Sequence, residues 1–567
     1  MTEAGNPASR GIFSCWRADG FPALLFCLLS LFVLFHNLGG PALFDPDEGR
    51  NAEIAREILL TDDWITPYYD FLPRLEKPVL FYAFAALSYK FFGISEAAAR
   101  FPSATSAFAA LLLTYFFTRR LLGAWAALWS GFVLLTCVEF FAFSRIVILD
   151  MTLALFITLA LSSFYLASAA ERGGKKRAYY FLMYAALACA TLVKGPIGVV
   201  FPGMIIGSYL AVRRKWSAIM EMEIGWGLLI FFLIAAPWYA WAEIRRPGYL
   251  AYFLGQEHFA RYLTPYYQRT KPWYYFFVVL AGGFFPWTLF LPSIARRLWK
   301  KPLDDFTLYL LLWAVVPFVF FSFSRSKMAE YLLPIYPALA ILAGKIITEA
   351  LEKWEVWLLS LTWQVLNLVV LCFLMGALWP QLSPVDAREM LGQLSATTIA
   401  ALALLAFIIL PWMAWTTLRQ NRERLFLPAC LVFFLFFLFA QKFVEPISMI
   451  RSYKDLATAS APFIRPEDQL VIYDTYLPSL PFYLRIDKPI WTVTPEDAKD
   501  VMGSFYAAEN KSPPAPGYGK VIFTPDEFDR EWSSRKLLVF VRQRRLSELP
   551  DAKVLLRSGG IALVTNR

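Results

Sequence analysis

Long apolar segments separated by short polar loops make up most of the chain before residue 460. A helix needs about 20 mostly apolar residues to cross the roughly 30 Å hydrocarbon core of a bilayer. The first apolar segment follows Arg10 and Arg17 and has no small-residue cleavage site after it, so we predict a retained helix and not a cleaved signal peptide. The pattern therefore predicts a polytopic α-helical membrane protein with about 13 transmembrane helices. The predicted spans are 21–39, 97–119, 122–142, 151–170, 178–194, 195–212, 224–242, 273–295, 305–323, 331–350, 355–378, 395–417 and 425–443.

The apolar segment 78–92 has two interpretations, because it is short and contains Tyr82, Tyr89 and Lys90. It is either a short span or a helix that lies in the membrane interface. If it does not cross, the basic loop clusters all fall on one side of the membrane, as the enrichment of Lys and Arg in cytoplasmic loops requires. We therefore predict an interfacial segment, a cytoplasmic N-terminus and an external C-terminus. The clusters lie at 119–120, 172–177, 213–215, 296–301 and 419–424.

This topology places four longer loops and the C-terminal region on the external face. From about residue 461 the composition becomes that of a soluble protein, with short β-rich runs between polar segments of helical character. We predict a transmembrane domain over 1–460, with external loops at 40–96 and 243–272, and a small soluble α/β domain over 461–567. The β-rich runs are 470–473, 520–523, 537–541 and 561–564, and the two remaining external loops are 143–150 and 324–330.

Composition narrows the class of protein further. The chain has 567 residues, of which 58% are hydrophobic and 17% charged, whereas soluble proteins average about 45–50% and about 25%. These values exclude a soluble enzyme with one anchor, a disordered chain and a disulfide scaffold. The net charge of +10 is explained by cytoplasmic loops that face anionic lipid, so the charge does not indicate nucleic-acid binding.

The first external loop concentrates acidic residues at the outer end of the first span. Asp45, Asp47 and Glu48 lie within four residues of one another, and carboxylates close to hydrocarbon are costly enough to suggest a function. A structural interpretation is compatible with this one. Asp47 and Glu48 also suit the first turn of a helix over about 49–60, because acidic side chains stabilise the N-terminal end of a helix dipole.

Two further external positions allow both a functional and a structural interpretation. Lys77 precedes Pro78 at the predicted membrane surface, where it could bind an anionic headgroup or simply extend its amine to water. Asp150 begins a predicted helix, where it could cap the N-terminus or point into the same cavity as Asp47.

The later external loops add a histidine and more cations. His258 is one of two histidines in the chain, and a single histidine is weak evidence for a metal site. Glu257 and Arg261 are spaced to pair on one helix face, and His258, one turn from Arg261, could face a metal or a phosphate. Arg325 and Lys327 lie in the loop between the ninth and tenth spans.

Together these loops hold two complementary sets of charges. A transferase that takes a sugar from a membrane-anchored phosphate needs both, because cations stabilise the departing phosphate and a carboxylate orients the acceptor or stabilises the cationic sugar centre. No glycine-rich nucleotide-binding motif is present, which argues against a nucleotide donor or nucleotide cofactor. The carboxylates are Asp45, Asp47, Glu48 and Asp150, and the cations are Lys77, Arg261, Arg325 and Lys327.

These residues resemble the bacterial branch of the protein O-mannosyltransferase-like superfamily, which are C-type membrane glycosyltransferases, and in particular the aminoarabinose transferases that modify lipid A. The likeness covers residues 20–340. It rests on Phe44-Asp-Pro-Asp-Glu-Gly-Arg50, Ala52-Glu-Ile54, Asp63-Trp-Ile-Thr-Pro67, Glu76-Lys-Pro78, Ala98-Ala-Arg-Phe-Pro102, the turn that ends at Asp150, and Ser326-Lys-Met-Ala-Glu-Tyr-Leu-Leu-Pro334.

The resemblance implies roles for individual residues. It makes Asp47 the principal catalytic carboxylate within the acidic pair Asp47-Glu48, and Asp150 the second carboxylate of the cavity. It implies a divalent metal ion at Glu76 and His258. It also implies that four residues bind the donor phosphate or line the donor side, namely Lys77, Arg261, Lys327 and Tyr331.

The sequence therefore predicts an enzyme of a bacterial inner membrane whose active site faces the periplasm. By resemblance, it would transfer 4-amino-4-deoxy-L-arabinose or a similar sugar from undecaprenyl phosphate to lipid A. One alternative is transfer from the same donor to protein hydroxyls or another cell-surface glycan. A polyprenyl-lipid transporter is a further alternative, but transporters place ionisable residues at mid-membrane on broken helices, whereas these charges lie at the external ends of the predicted spans.

Overall fold

The computed structural model describes residues 20–263, 270–300, 303–349, 352–378, 399–400, 403–418, 423–494, 506–507 and 512–566. Parts of the predicted loop 243–272, of the predicted span 395–417 and of the basic cluster 419–424 lie outside these residues. The helices of the described residues are α1 Gly20–Phe35, α2 Asp47–Thr61, α3 Leu80–Phe92, α4 Glu96–Leu122, α5 Ala124–Thr136, α6 Val138–Ser144, α7 Leu149–Ala169, α8 Gly174–Lys194, α9 Ile197–Arg213, α10 Ile224–Arg245, α11 Tyr249–Tyr252, α12 Arg261–Leu263, α13 Tyr275–Gly283, α14 Leu291–Lys300, α15 Asp305–Phe323, α16 Tyr336–Thr348, α17 Lys353–Leu378, α18 Leu410–Leu418, α19 Glu423–Ile450, α20 Lys454–Ser460, α21 Leu480–Leu484 and α22 Pro525–Ser534.

Every predicted span overlaps at least one helix of the described residues. Within those residues, seven helices are individually long and apolar enough to cross a membrane, and two bent pairs raise the number to nine. The bent pairs are α5 with α6, at 68°, and α13 with the helical segment 287–297, at 108°. The two bends meet, because the Val138 amide donates a hydrogen bond of 3.1 Å to the Phe285 carbonyl oxygen. The remaining predicted spans correspond to shorter or more polar helices.

Helix α3 resolves the ambiguity of segment 78–92. Its 13 residues extend about 20 Å at 1.5 Å per residue, which is too short to cross about 30 Å of hydrocarbon. It packs against α2 and α4, and the Tyr89 hydroxyl donates a hydrogen bond of 3.1 Å to the Ala52 carbonyl oxygen on α2. The first external loop is therefore a folded unit of two helices and the short hairpin β1 Tyr68–Tyr69 and β2 Leu72–Pro73.

The C-terminal region forms a six-stranded mixed sheet in the order β5-β4-β3-β6-β8-β7. The four predicted β-rich runs each contain a strand, and β4 and β7 were not predicted. Successive residues of β3 face opposite sides: Val471 packs towards α22, and Ile472 packs towards α20 and α21. Alternation of this kind is expected for a sheet covered by helices on both faces. The strands are β3 Gln469–Tyr473, β4 Trp491–Val493, β5 Ile522–Phe523, β6 Leu537–Arg542, β7 Lys553–Ser558 and β8 Ile561–Thr565.

The sheet domain contacts the first external loop through buried polar groups. The Asp70 carboxylate accepts a hydrogen bond of 2.8 Å from the Ile490 amide, and Glu76 accepts one of 3.0 Å from the Tyr506 amide. On the other side of the loop, the Tyr483 hydroxyl accepts a hydrogen bond of 2.8 Å from the Leu43 amide. The C-terminal domain is thus fixed against the loop that carries four of the nine predicted site residues, Asp47, Glu48, Glu76 and Lys77.

Candidate active site

A polar cavity lies between the external ends of the helices and the first external loop. It contains about 740 Å³ of space not filled by protein atoms, part of which is open to solvent. Five cations and five carboxylates line it, so the cavity is close to electrically neutral when all are ionised. Its lining residues are Asp47, Arg50, Asn51, Arg74, Glu76, Lys77, Tyr82, Ile148, Leu149, Asp150, Lys194, Glu257, Arg261, Met328, Glu330 and Tyr331.

Asp47 enters this cavity from the first turn of α2. Its side chain is 46% exposed and forms an ion pair with Arg50, one turn further along the helix. The acidic residues at 47 and 48 favour helix initiation at this point through the helix dipole, so α2 begins two residues before the predicted start at Gly49. Asp47 is therefore both a helix-starting residue and a solvent-accessible carboxylate in the cavity.

Glu48 does not line the cavity, and a catalytic role for it is not supported by its geometry. The residue is 2% exposed, and both carboxylate oxygens accept hydrogen bonds of 2.8 Å from Arg100. It also accepts hydrogen bonds from the amides of Phe44 (2.9 Å) and Val147 (2.7 Å). With these acceptors occupied, Glu48 fixes the start of α2 against α4 and the turn before α7. Asp45 similarly turns away from the cavity and accepts a hydrogen bond from Ser479.

Asp150 lies in the cavity with Asp47, as predicted, but it does not cap its helix. The N-cap of α7 is Ile148, and the Asp150 carboxylate instead forms an ion pair with Lys194 at the end of α8. The Lys194 ammonium also lies 4.7 Å from the centre of the Tyr331 ring, within range of a cation–π contact. Lys194 thus joins the second carboxylate to the predicted donor side.

The turn after Lys194 allows this arrangement. Gly195 has a φ of +84°, which non-glycine residues rarely adopt. A Cβ atom there would come within 2.6 Å of the Phe253 ring and 2.8 Å of the His258 ring. Glycine therefore permits the π-helical segment Phe253–Ala260 to pack directly against the end of α8. Such π-helical turns occur frequently at functional sites.

The predicted phosphate ligands Lys77 and Arg261 share one carboxylate. Glu257 forms ion pairs with both cations, and Arg261 also donates a hydrogen bond of 3.2 Å to the Tyr331 hydroxyl. Burial lowers the pKa of Lys77 to about 8, an effect that Glu257 partly offsets and Arg261 increases. Burial would raise the pKa of Glu257, but Arg261 and Lys77 outweigh it and hold that pKa well below its usual value.

Glu76 and His258, the predicted metal ligands, make other contacts in this structure. The His258 Nδ1 atom lies 2.7 Å from the Phe253 carbonyl oxygen, and Nε2 lies 3.3 Å from the Lys194 carbonyl oxygen. Burial and the nearby Lys77 lower the pKa of His258 to about 4, so the imidazole is neutral near pH 7. Among the described residues, no three His, Cys, Asp or Glu side chains are close enough to hold an ion. The divalent ion stays a prediction, and no chemistry is assigned to it.

Lys327 is near the cavity but is not one of its lining residues. It is 7% exposed, and its ammonium donates a hydrogen bond of 2.5 Å to the Ser324 carbonyl oxygen. Burial and Arg325 lower its pKa. In this geometry Lys327 stabilises the loop that presents Met328, Glu330 and Tyr331, which do line the cavity.

Several lining residues were not predicted from the sequence. Lys194 was not predicted, although a cation at the predicted external end of a span was a usable signal. Arg50 and Glu330 lie inside motifs that were quoted for other residues. Arg74 lies one residue before the Leu75-Glu76-Lys77 segment and forms a 3.7 Å ion pair with Glu76.

Comparison with known proteins identifies a family model and curated relatives that this chain resembles. Residues 21–253 match the family model described as dolichyl-phosphate-mannose-protein mannosyltransferase. Two curated relatives carry the name undecaprenyl phosphate-alpha-4-amino-4-deoxy-L-arabinose arabinosyl transferase. The protein from Edwardsiella ictaluri is 33% identical over 56% of this chain and 58% of its own length. The protein from Aeromonas hydrophila is 31% identical over 57% and 60%, respectively. The alignments thus span about three fifths of these relatives.

Solved structures extend the similarity to nearly the whole chain. The crystal structure of ArnT from Cupriavidus metallidurans bound to undecaprenyl phosphate superposes with a TM-score of 0.82 at 26% identity, covering 97% of this chain and 98% of that one. The structure of the same protein without ligand gives the same TM-score. The predicted superfamily resemblance and the predicted fold, a polytopic helical membrane glycosyltransferase fold with a C-terminal α/β domain, are confirmed.

Proposed function

We propose that this protein is a membrane glycosyltransferase that moves an aminopentose from undecaprenyl phosphate to lipid A on the periplasmic face of a bacterial inner membrane. The full-length structural likeness to a protein that binds undecaprenyl phosphate supports the donor. The names of the curated relatives support the sugar. The topology predicted from the basic loops supports an external active site.

The observation that carries the proposal is the pairing of Lys77 and Arg261 with Glu257 beside Asp47 and Asp150 in one cavity. The glycosidic bond to phosphate breaks with the electron pair going to the phosphate oxygen. Fixed cations lower the free energy of that developing charge, and two buried cations that share one carboxylate retain a surplus positive charge for it. Glu257 keeps both cations positioned until the donor phosphate binds.

The carboxylates serve the sugar and the acceptor. If the acceptor is a lipid A phosphate, its oxygen is already anionic, and no base has to remove a proton. Asp47, the most exposed of the four ion-paired carboxylates that line the cavity, would then orient the acceptor and stabilise the positive charge at the anomeric carbon. Asp150 is held by Lys194 and lines the same cavity. Direct displacement by the acceptor inverts the anomeric configuration.

Transfer to a protein hydroxyl is a second candidate, because the matching family model describes protein mannosyltransferases. A hydroxyl must lose its proton during attack, so this reaction requires a general base. Protonation of Asp47 would then decrease the rate in proportion to the protonated fraction. Transfer to a lipid A phosphate would show a weaker dependence on pH.

Mass spectrometry of lipid A tests the proposed acceptor and sugar. Lipid A from a deletion strain should lack an aminopentose that wild-type lipid A carries, and the complemented strain should regain it. Purified protein should transfer the same sugar from its undecaprenyl phosphate derivative to isolated lipid A. Unchanged lipid A in the deletion strain, together with no transfer in vitro, would refute this function and favour a protein or another glycan as the acceptor.

A further inference from the structure

One carboxylate in the cavity has no cationic partner among the described residues. The other four acids are paired: Asp47 with Arg50, Glu76 with Arg74, Asp150 with Lys194, and Glu257 with both Lys77 and Arg261. Glu330 lines the same cavity, but within the described part of the chain its carboxylate forms no ion pair or hydrogen bond with another residue. The carboxylate interacts with its own backbone amide.

Glu330 is also deeply buried. The residue is 8% exposed, and it interacts electrostatically with three acids, Asp150, Asp47 and Glu139, and with the cation Lys194. That cation already forms an ion pair with Asp150. Burial raises the pKa of Glu330 to about 7, because the charged form of a buried carboxylate without an ion pair is costly. A cationic ligand in the cavity would favour the ionised form by supplying the opposite charge.

The position of Glu330 fits the donor side of the cavity. It lies on the helical segment Ala329–Ile335, directly before Tyr331, whose hydroxyl accepts a hydrogen bond from the predicted phosphate ligand Arg261. A sugar that is linked to the phosphate and lies in this cavity would therefore place its ring between the cations and Glu330.

We propose that Glu330 binds the ammonium group of the donor sugar and so selects an amino sugar over a neutral one. This inference rests on the proposed function. A primary amine on a sugar ring is protonated near pH 7 and donates hydrogen bonds that an ionised carboxylate accepts, and such charge-assisted bonds are the strong ones. A donor with a hydroxyl in place of the amine leaves the charge of Glu330 uncompensated, which is how a buried polar group rejects an analogue.

The experiment compares two undecaprenyl-phosphate donors, one with 4-amino-4-deoxyarabinose and one with arabinose itself. Purified full-length protein in lipid nanodiscs is assayed for transfer to lipid A and, separately, for donor binding. Wild-type protein should prefer the amino donor, and Glu330→Gln should lower that preference by about tenfold to a hundredfold. For the amino donor, Glu330→Gln should raise KM and weaken binding. Both quantities should change little for the neutral donor. Glu330→Asp should restore part of the preference, and the exposed Glu467→Gln serves as a control.

Each outcome separates the inference from the function on which it rests. If Glu330→Gln keeps the wild-type preference for the amino donor, Glu330 does not recognise the amine. The same conclusion holds if the variant loses kcat equally with both donors and the pH profile of its activity changes. In those cases the glycosyltransferase function stands and only the inference fails. If wild-type protein neither binds nor uses either donor, the proposed function is wrong and the inference fails with it.

Discussion

The pKa of Lys77 predicts how donor binding depends on pH. Lys77 has a pKa of about 8, so it is charged below this pH and loses its proton above it. A hydrogen bond to a charged group contributes about 1.5–3 kcal/mol, which corresponds to about 10- to 150-fold in affinity. We therefore expect polyprenyl phosphate binding to be strongest below pH 8 and to weaken as the pH rises. Because the bound anion favours the charged lysine, the loss extends over about one to two pH units above 8.

The ion-pair partner of Lys77, the adjacent imidazole of His258 and the arginines do not titrate in this range. The pKa of Glu257 lies well below its usual value, that of His258 is about 4, and arginine stays protonated throughout. The ligand should be the methyl ester of undecaprenyl phosphate, a phosphodiester whose charge is constant from pH 6.5 to 9.5. A change in affinity then reports on the protein.

Two variants make this prediction refutable by isothermal titration calorimetry. Lys77→Arg keeps the charge at every pH, so its affinity should stay constant where that of the wild type falls. Lys77→Met should bind weakly at all pH values. If Lys77→Met binds as tightly as the wild type, or if the wild type and Lys77→Arg have the same pH profile, Lys77 lies at the membrane surface without binding the phosphate.

Three further predictions follow from other residues. Asp47→Asn should abolish most turnover while leaving the affinity for undecaprenyl phosphate within about twofold, and full turnover would exclude Asp47 as a catalytic residue. Glu48→Gln should lower the free energy of unfolding by about 3–5 kcal/mol, because it leaves buried Arg100 without its counter-charge. Thermal unfolding measures this effect, and an unchanged midpoint would contradict a structural role for Glu48. Burial raises the pKa of Asp70 to about 8, above its unfolded value of about 3.9, so its contribution to stability is lost as the pH rises through 8. Asp70→Asn should flatten the decrease in thermal stability between pH 5 and 8, and parallel profiles for the two proteins would refute this.

Span positions were predictable from sequence because crossing hydrocarbon imposes a length and a composition on each segment. The breaks within spans were less predictable. Pro286 marks one bend, since proline lacks the amide that continues a helix. The other bend, at Cys137, has no proline, and it forms where the Val138 amide finds a tertiary partner in the Phe285 carbonyl group. A hydrogen bond across 147 positions leaves no local pattern.

In the candidate site, too, features set by the local sequence were predictable, and features set by tertiary contacts were not. Asp47, Lys77, Asp150 and Arg261 could be found because each is a charge at an external end of a span or in an external loop. Which charges pair could not be read from sequence, except for Glu257 and Arg261, which are four residues apart on one helical face. Glu48 illustrates this: its neighbour Asp47 lines the cavity, whereas Glu48 pairs with Arg100, 52 positions away.

The pairing of charges also suggests how the cavity can bind the donor phosphate and still be stable when it is empty. Isolated buried cations would lower stability, and Glu257 prevents this by compensating one charge of the Lys77 and Arg261 pair. The remaining positive charge is available to the donor phosphate, so binding requires no separation of the ion pairs. Preorganised charges of this kind stabilise a transition state without reorganisation during the reaction. A phosphate at Lys77 and Arg261 and an ammonium at Glu330 would then complete the charge balance of the cavity at both ends of the sugar.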